Sequence, residues 1–117
     1  MTDTNPTIFG KILRGEIPSE RVWEDEHCIA FRDIAPAAPK HVLIIPREYI
    51  PTLNDVTDAH KPVVGHMLWV AGQVAAAEGL ADDGYRVVIN VNAHGGQTVF
   101  HLHLHVIGGR PMGWPPT

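Results

Sequence analysis

At 117 residues with a formal charge of -4, the chain is long enough to fold as one domain, residues 1–117, that buries about two thirds of its unfolded surface. Its 44% hydrophobic and 19% charged residues exclude a disordered or collagen-like chain. The acidic balance argues against nucleic acid as a partner, because a phosphate backbone is held by many Lys and Arg side chains.

The single cysteine, Cys28, leaves no internal disulfide to form. The first six residues lack the basic and apolar regions of a signal peptide, and no apolar run approaches the roughly 20 residues that cross a bilayer. A reducing, cytoplasmic setting without a membrane partner is expected.

Residues 7–15 place Ile8, Phe9, Ile12 and Leu13 at helical spacing and end at Gly15, ahead of Pro18, which predicts a short amphipathic helix. Residues 21–24 and 28–33 are apolar-rich runs separated by Asp25 and Glu26, the pattern of two antiparallel strands joined by a tight turn. A rigid loop carrying Pro36 and Pro39 leads into residues 41–46, His-Val-Leu-Ile-Ile-Pro, whose β-branched content predicts a central strand. From about Lys61 to Gly79 the apolar residues Val64, Met67, Leu68, Ala71, Val74 and Ala75 recur at three- and four-residue steps, marking the main helix. Pro62 fits only in its first turn, so the helix starts near His60. His66 and Trp69 on this helix read as packing or surface residues. Residues 85–91 predict a strand and 92–100 a glycine-rich loop. Together these elements indicate an α+β fold, an antiparallel sheet with two helices.

The loop delivers the chain to residues 101–107, His-Leu-His-Leu-His-Val-Ile. On a strand, His101, His103 and His105 share one face while Leu102, Leu104 and Val106 take the other. Such a row supports two chemistries. One is metal binding, but about 13 Å separates the Cα atoms of the outer histidines at the rise of a strand, so a compact site needs a ligand from elsewhere, Cys28 or His41 in principle. The other is nucleophilic attack on phosphorus, in which one neutral imidazole attacks while another, kept protonated by a phosphate, donates to the leaving group. Gly95, Gly96, Gln97 and Thr98 stand just ahead of the row, where backbone N–H groups and polar side chains could cradle phosphoryl oxygens.

The stretch from Asn90 through Trp114, with Gly-Gly-Gln-Thr-Val-Phe-His-Leu-His-Leu-His-Val-Ile-Gly-Gly-Arg-Pro at its heart, resembles the histidine triad family in its Hint-type nucleotide-binding branch. The resemblance extends to Thr-Ile-Phe-Gly-Lys-Ile at 7–12, Ala-Phe-Arg-Asp-Ile-Ala-Pro at 30–36 and residues 41–46, and so covers nearly the whole chain. It implies a hydrolase that splits the P–N bond of purine nucleoside phosphoramidates, AMP or GMP derivatives, through a nucleotidyl-histidine intermediate and without a cofactor or metal. By motif position it makes His103 the nucleophile and gives His105 the phosphate and the leaving amine. His101 orients the nucleophile and His41 supports the triad.

The resemblance further assigns Asp33 to the ribose hydroxyls. Ile8, Phe9, Phe31, Ile34 and Leu43 become apolar walls around the base, and Asn90, Gly96, Gln97 and Thr98 contacts on the phosphate side. Read without the resemblance, Asp33 is as well suited to stabilising a turn. Thr98 stands where serine is frequent in the family, and residues 91–94 differ from the loop common in relatives, which leaves His94 without an assigned role.

A homodimer that continues the sheet is also implied. Val63, Trp69 and Val70 lie outside the stripe assigned to the sheet and offer apolar surface for a second copy. Met112 and Trp114 in the tail could reach toward the partner's site. The alternative to an enzyme is a module that holds nucleotide or zinc without turnover.

Overall fold

In the computed structural model, which describes residues 5–117, the chain folds as α1 (Ile8–Leu13), β1 (Arg21–Glu24), β2 (Cys28–Arg32), β3 (Lys40–Pro46), α2 (Lys61–Ala77), β4 (Tyr85–Val88) and β5 (Leu104–Gly108). Residues 1–4, part of the amino-terminal segment considered above, lie outside the described residues. The strands form one antiparallel sheet in the order β1-β2-β3-β5-β4. The run at 41–46 is therefore central, as its composition predicts.

Helix α1 is capped by Thr7, whose hydroxyl oxygen accepts the N–H of Gly10 at 3.1 Å, relieving one of the unpaired donors of a first turn. Helix α2 begins at Lys61 with Pro62 in its first turn, where a missing N–H does no harm. It stops at Gly79, whose φ of 78° is the left-handed geometry that ends helices and that glycine adopts without strain.

Alternation along the strands divides the interior into two clusters. Cys28, Ala30, Val42, Ile44, Leu104 and Val106 pack under α2 against Met67, Val70, Ala71, Val74 and Ala75. Ile29, Phe31, Leu43 and Ile45 turn the other way, onto Phe9 and Ile12 of α1. Arg32 ties the end of β2 to α2 through two hydrogen bonds to Glu78, and this ion pair holds the Glu78 carboxyl below its usual range against the opposing effect of burial.

Several boundaries differ from expectation. The regular strand at the histidine row starts only at Leu104, so His101 and His103 stand in the segment leading into it. Strand β4 ends at Val88 instead of Val91. Beyond it Asn92 takes a φ of 58° and its N–H is held by the Gln97 side chain at 2.9 Å, which removes that backbone from a ladder. On α2, Val70 is fully buried and belongs to the core, while Leu68 is half exposed. The stripe runs Met67, Val70, Ala71, Val74, Ala75, and Leu68 lies about 100° around the helix from Met67. The tail is tied down by Arg86, which donates to the Gly113 carbonyl at 2.7 Å, and by Arg110, which donates to the Ala37 carbonyl. Trp114 itself is 82% exposed.

Leu104 is buried on the α2 face, one residue from each of two histidines on the other. Leu104→Ala is expected to destabilise the fold by about 3 kcal/mol, the sum of lost transfer energy and a residual cavity. Urea unfolding followed by circular dichroism measures it, and a loss below about 1 kcal/mol would mean that this face is not close-packed.

Candidate active site

The histidines meet on the α1 face. Strand register sets Leu43 opposite His105, and the same alternation turns His41 toward it from β3. Val88 also lies opposite His105. Phe9 of α1 stands edge-on to His103 with ring centroids 4.9 Å apart, and Tyr49 stacks on His101 at 5.8 Å. The predicted alternation holds: Leu102, Leu104 and Val106 are buried, the last two under α2.

The hydrogen bonds determine where the ring protons lie. His103 Nδ1 is 2.7 Å from the backbone carbonyl of His101. A carbonyl only accepts, so Nδ1 carries the proton and Nε2 of the neutral ring is a bare lone pair. His41 Nδ1 accepts the N–H of Ala37 at 3.0 Å, which puts its proton on Nε2, and that N–H donates to His105 Nδ1 at 2.9 Å. The proton of neutral His105 is thereby forced onto Nε2. That atom is buried, and it is the one buried side-chain polar atom without a partner among the described residues. A buried N–H left unpaired is unfavourable and marks a place meant for an acceptor.

Burial pushes all three of these rings toward the neutral form. His105 falls to about 4, through burial first and then the neighbouring His103 and His41. His103 and His41 are lowered by burial, partly opposed by Asp33 and, for His103, by its bond to the His101 carbonyl. At neutral pH His41, His103 and His105 are therefore neutral imidazoles, and none of these three is kept protonated before a phosphate arrives.

Of the residues assigned to the nucleotide, Ile8, Phe9, Phe31, Asp33, Ile34 and Leu43 line one cavity of about 110 Å³ that opens to solvent. Ile34 is 96% exposed at its rim. Asp33 stabilises a turn, its Oδ1 accepting the N–H of Ala35 at 2.8 Å, while its Oδ2 lies 3.5 Å from His41 Nε2.

Gln97 is buried and fully engaged inside its loop. Its amide donates to the carbonyls of Pro51 and Val99 while its oxygen accepts from Asn92. Its side chain sets the shape of the loop, while Gly96 and Thr98 remain exposed beside it, as does His94.

Two clusters offer three metal-capable atoms within 4.8 Å of one another: Asp33, His41 and His105, and separately Asp25, Cys28 and His66. Cys28 packs under α2, on the far side of the sheet from the histidine row, so it cannot complete a ligand set there. Burial, with Asp25 nearby, pushes its thiol up to about 12. Asp25 accepts from the Trp23 indole, from His66 and from the N–H groups of His27 and Cys28. These bonds overcome the effect of burial and hold its carboxyl well below the usual range.

Asn5 was not among the residues expected at the site. It is 2% exposed, and its Nδ2 lies 2.7 Å from His101 Nδ1. A lone asparagine before a predicted helix carries no signal of such a long-range bond.

Comparison with known proteins agrees with this geometry. A family model described as the HIT domain matches residues 14–112. The purine nucleoside phosphoramidase of Escherichia coli (strain K12) is 55% identical over 107 residues, covering 92% of this chain and 90% of that protein. A crystal structure of a HIT family hydrolase from Legionella pneumophila superposes with a TM-score of 0.92 at 53% identity, covering 94% of this chain and 98% of that one. A HIT family hydrolase from Clostridium thermocellum also gives 0.92, at 42% identity, with 95% and 96% covered.

The depressed histidines carry a consequence for stability. Above the ordinary value of 6.5, neither folded nor unfolded chain binds these protons. Between 6.5 and about 4 the unfolded chain takes up protons that the folded site refuses, so stability falls as pH falls. Urea unfolding at pH 7.0 and 4.5 should show a loss on the order of 2 kcal/mol from His105 after allowance for its partial exposure. His105→Asn should remove most of that dependence, and an unchanged slope in this variant would assign the loss to other groups.

Proposed function

The chain belongs to the HIT domain family, and from that premise we propose that it is a hydrolase of purine nucleoside 5'-phosphoramidates. The observation that carries this reading is the pairing of a bare His103 Nε2 with an unpartnered His105 Nε2–H on one rigid face. His103 Nε2 attacks phosphorus, forming a P–N bond to the enzyme as the bond to the leaving amine breaks. The phosphoryl charge of the substrate raises the proton affinity of the site, and the proton taken up with the substrate departs on the amine past the His105 donor. Water then attacks phosphorus and releases the nucleotide and His103.

The apolar walls Ile8, Phe9, Phe31, Ile34 and Leu43 receive the base by contact, Asp33 takes the ribose hydroxyls, and Asn90, Gly96 and Thr98 face the phosphate. Gln97 holds the loop that presents them. The similarity to a purine nucleoside phosphoramidase supports the substrate class. The buried, free thiol of Cys28 fits a reducing, cytoplasmic setting.

We also infer a homodimer. Leu68 on α2 is 50% exposed, a Cβ at Gly72 one turn on would lie 3.9 Å from the Tyr85 hydroxyl, and Tyr85 and Val87 stand out from β4, an edge strand with one unpaired side. An apolar helix face beside an open sheet edge is a surface that a second copy covers by continuing the sheet. Sedimentation velocity at micromolar concentration should give a dimer, and Leu68→Asp a folded monomer; a wild-type monomer with normal turnover would refute the assembly.

For the reaction itself, His103→Ala should lower hydrolysis of adenosine phosphoramidates at least about a thousandfold while AMP affinity stays within about tenfold, because the nucleophile acts mainly in the transition state. Steady-state kinetics and calorimetric AMP titration measure the two effects. Turnover unaffected by the substitution would leave a nucleotide-binding module as the better reading.

A further inference from the structure

We propose that Asn5 is a positioning residue for this hydrolysis, fixing the ring of His101 and, through its backbone, the carbonyl that aims the nucleophile. The inference rests on the assignment of His103 as nucleophile. It starts from the His101 carbonyl, which receives the Nδ1–H of His103 at 2.7 Å. Residues 101–103 precede the regular strand, so no ladder holds that carbonyl in place. The peptide that carries it is held on one side by the Leu102 N–H, which donates to the Ile50 carbonyl at 2.7 Å, and on the other by the His101 side chain, which is fully buried.

The ring is pinned from both ends. His101 Nε2 lies 2.9 Å from the carbonyl of Pro46, so Nε2 carries the proton and Nδ1 is an acceptor. Asn5 Nδ2 donates to that Nδ1 at 2.7 Å. The orientation of the Asn5 amide is itself determined, because its Oδ1 accepts the N–H of Thr7 at 3.0 Å and the Thr7 hydroxyl at 2.7 Å. Its backbone carbonyl accepts from Arg14 at 2.9 Å. At Gly10, a Cβ would come within 2.5 Å of Asn5 Cγ, so the first turn of α1 closes directly over the amide and has no space for a side chain. The same helix presents Phe9 to His103. A buried amide with a set orientation thus selects the tautomer of His101, and the anchored histidine sets the acceptor that leaves His103 Nε2 bare.

The discriminating variant in the full chain is Asn5→Asp, which keeps the shape and replaces the amide donor with an acceptor. Nitrogen-15 NMR of the histidine rings without substrate should show His101 Nδ1 passing from bare to protonated. With an adenosine phosphoramidate, kcat should fall about ten- to a hundredfold, the scale of a small misplacement of a reacting group, and KM should change less than about threefold. Asn5→Ala, which removes the donor while the Pro46 carbonyl still keeps the proton on His101 Nε2, should leave that tautomer in place and give a smaller loss of kcat through a less firmly held ring. It decides the question if the aspartate variant does not fold.

An unchanged His101 Nδ1 in the aspartate variant, or an unchanged kcat in the alanine variant, would overturn the proposal. So would a loss of kcat that follows thermal unfolding and disappears at lower temperature. Absence of hydrolysis by the wild type would instead remove the proposed function, and the NMR result would still decide whether Asn5 controls His101.

Discussion

The bond from His103 Nδ1–H to the carbonyl of His101 is the constraint on which the candidate site depends. It joins a side chain to a backbone acceptor two residues earlier, which requires that the acceptor be free of the sheet. The late start of β5 at Leu104 meets that requirement. Had the ladder begun at His101, as simple alternation suggests, its carbonyl would be drawn into strand pairing and the preference of His103 for one tautomer would weaken. The two faces of the segment still alternate as strand geometry dictates. The departure from regular pairing is confined to the backbone that the chemistry uses.

The general architecture was legible because it rests on periodicity. The stripe of α2, the proline in its first turn, the β-branched run of β3 and the period-two histidines each express a repeat that one packing arrangement satisfies. What stayed hidden rests on contacts between distant segments. Leu68 and Val70 differ by two positions on one apolar helix, and only the placement of the sheet decides which is buried. Beyond β4, which stops at Val88, the side chain of Gln97 captures the backbone N–H of Asn92, a bond invisible in local sequence. Among the site residues, the apolar lining of the cavity and the histidines could be numbered from the family motif. The engagement of Gln97 inside its own loop and the reach of Asn5 to His101 could not.

Burial explains why a row of histidines is a nucleophilic device and not a cationic patch. Three rings withdrawn from water favour their neutral forms, and each additional neighbour raises the penalty for a charge. The phosphoryl group brings negative charge into that neutral environment, where interactions are stronger than in solvent. The site therefore changes its proton affinity when substrate enters, which suits a reaction whose leaving nitrogen needs a proton only then. Asp33, 3.5 Å from His41, is the carboxylate that opposes the depression of all three rings.

The direction of the hydrogen-bond chain is set at its far end. Ala37 donates its backbone N–H to His41 Nδ1, His41 Nε2–H donates to His105 Nδ1, and His105 is left with a donor at Nε2. Each link has one polarity because a backbone amide cannot accept at nitrogen. Reversal at the first link would leave that amide without its acceptor and would turn the last atom from donor to lone pair. The loop carrying Ala37 lies between Pro36 and Pro39, residues that restrict its backbone and supply no competing N–H. Arg110 donates to the carbonyl of the same Ala37, so both polar groups of this peptide position are engaged. A segment that reads in sequence as a rigid connection between two strands thereby determines which nitrogen of the distant His105 carries its proton.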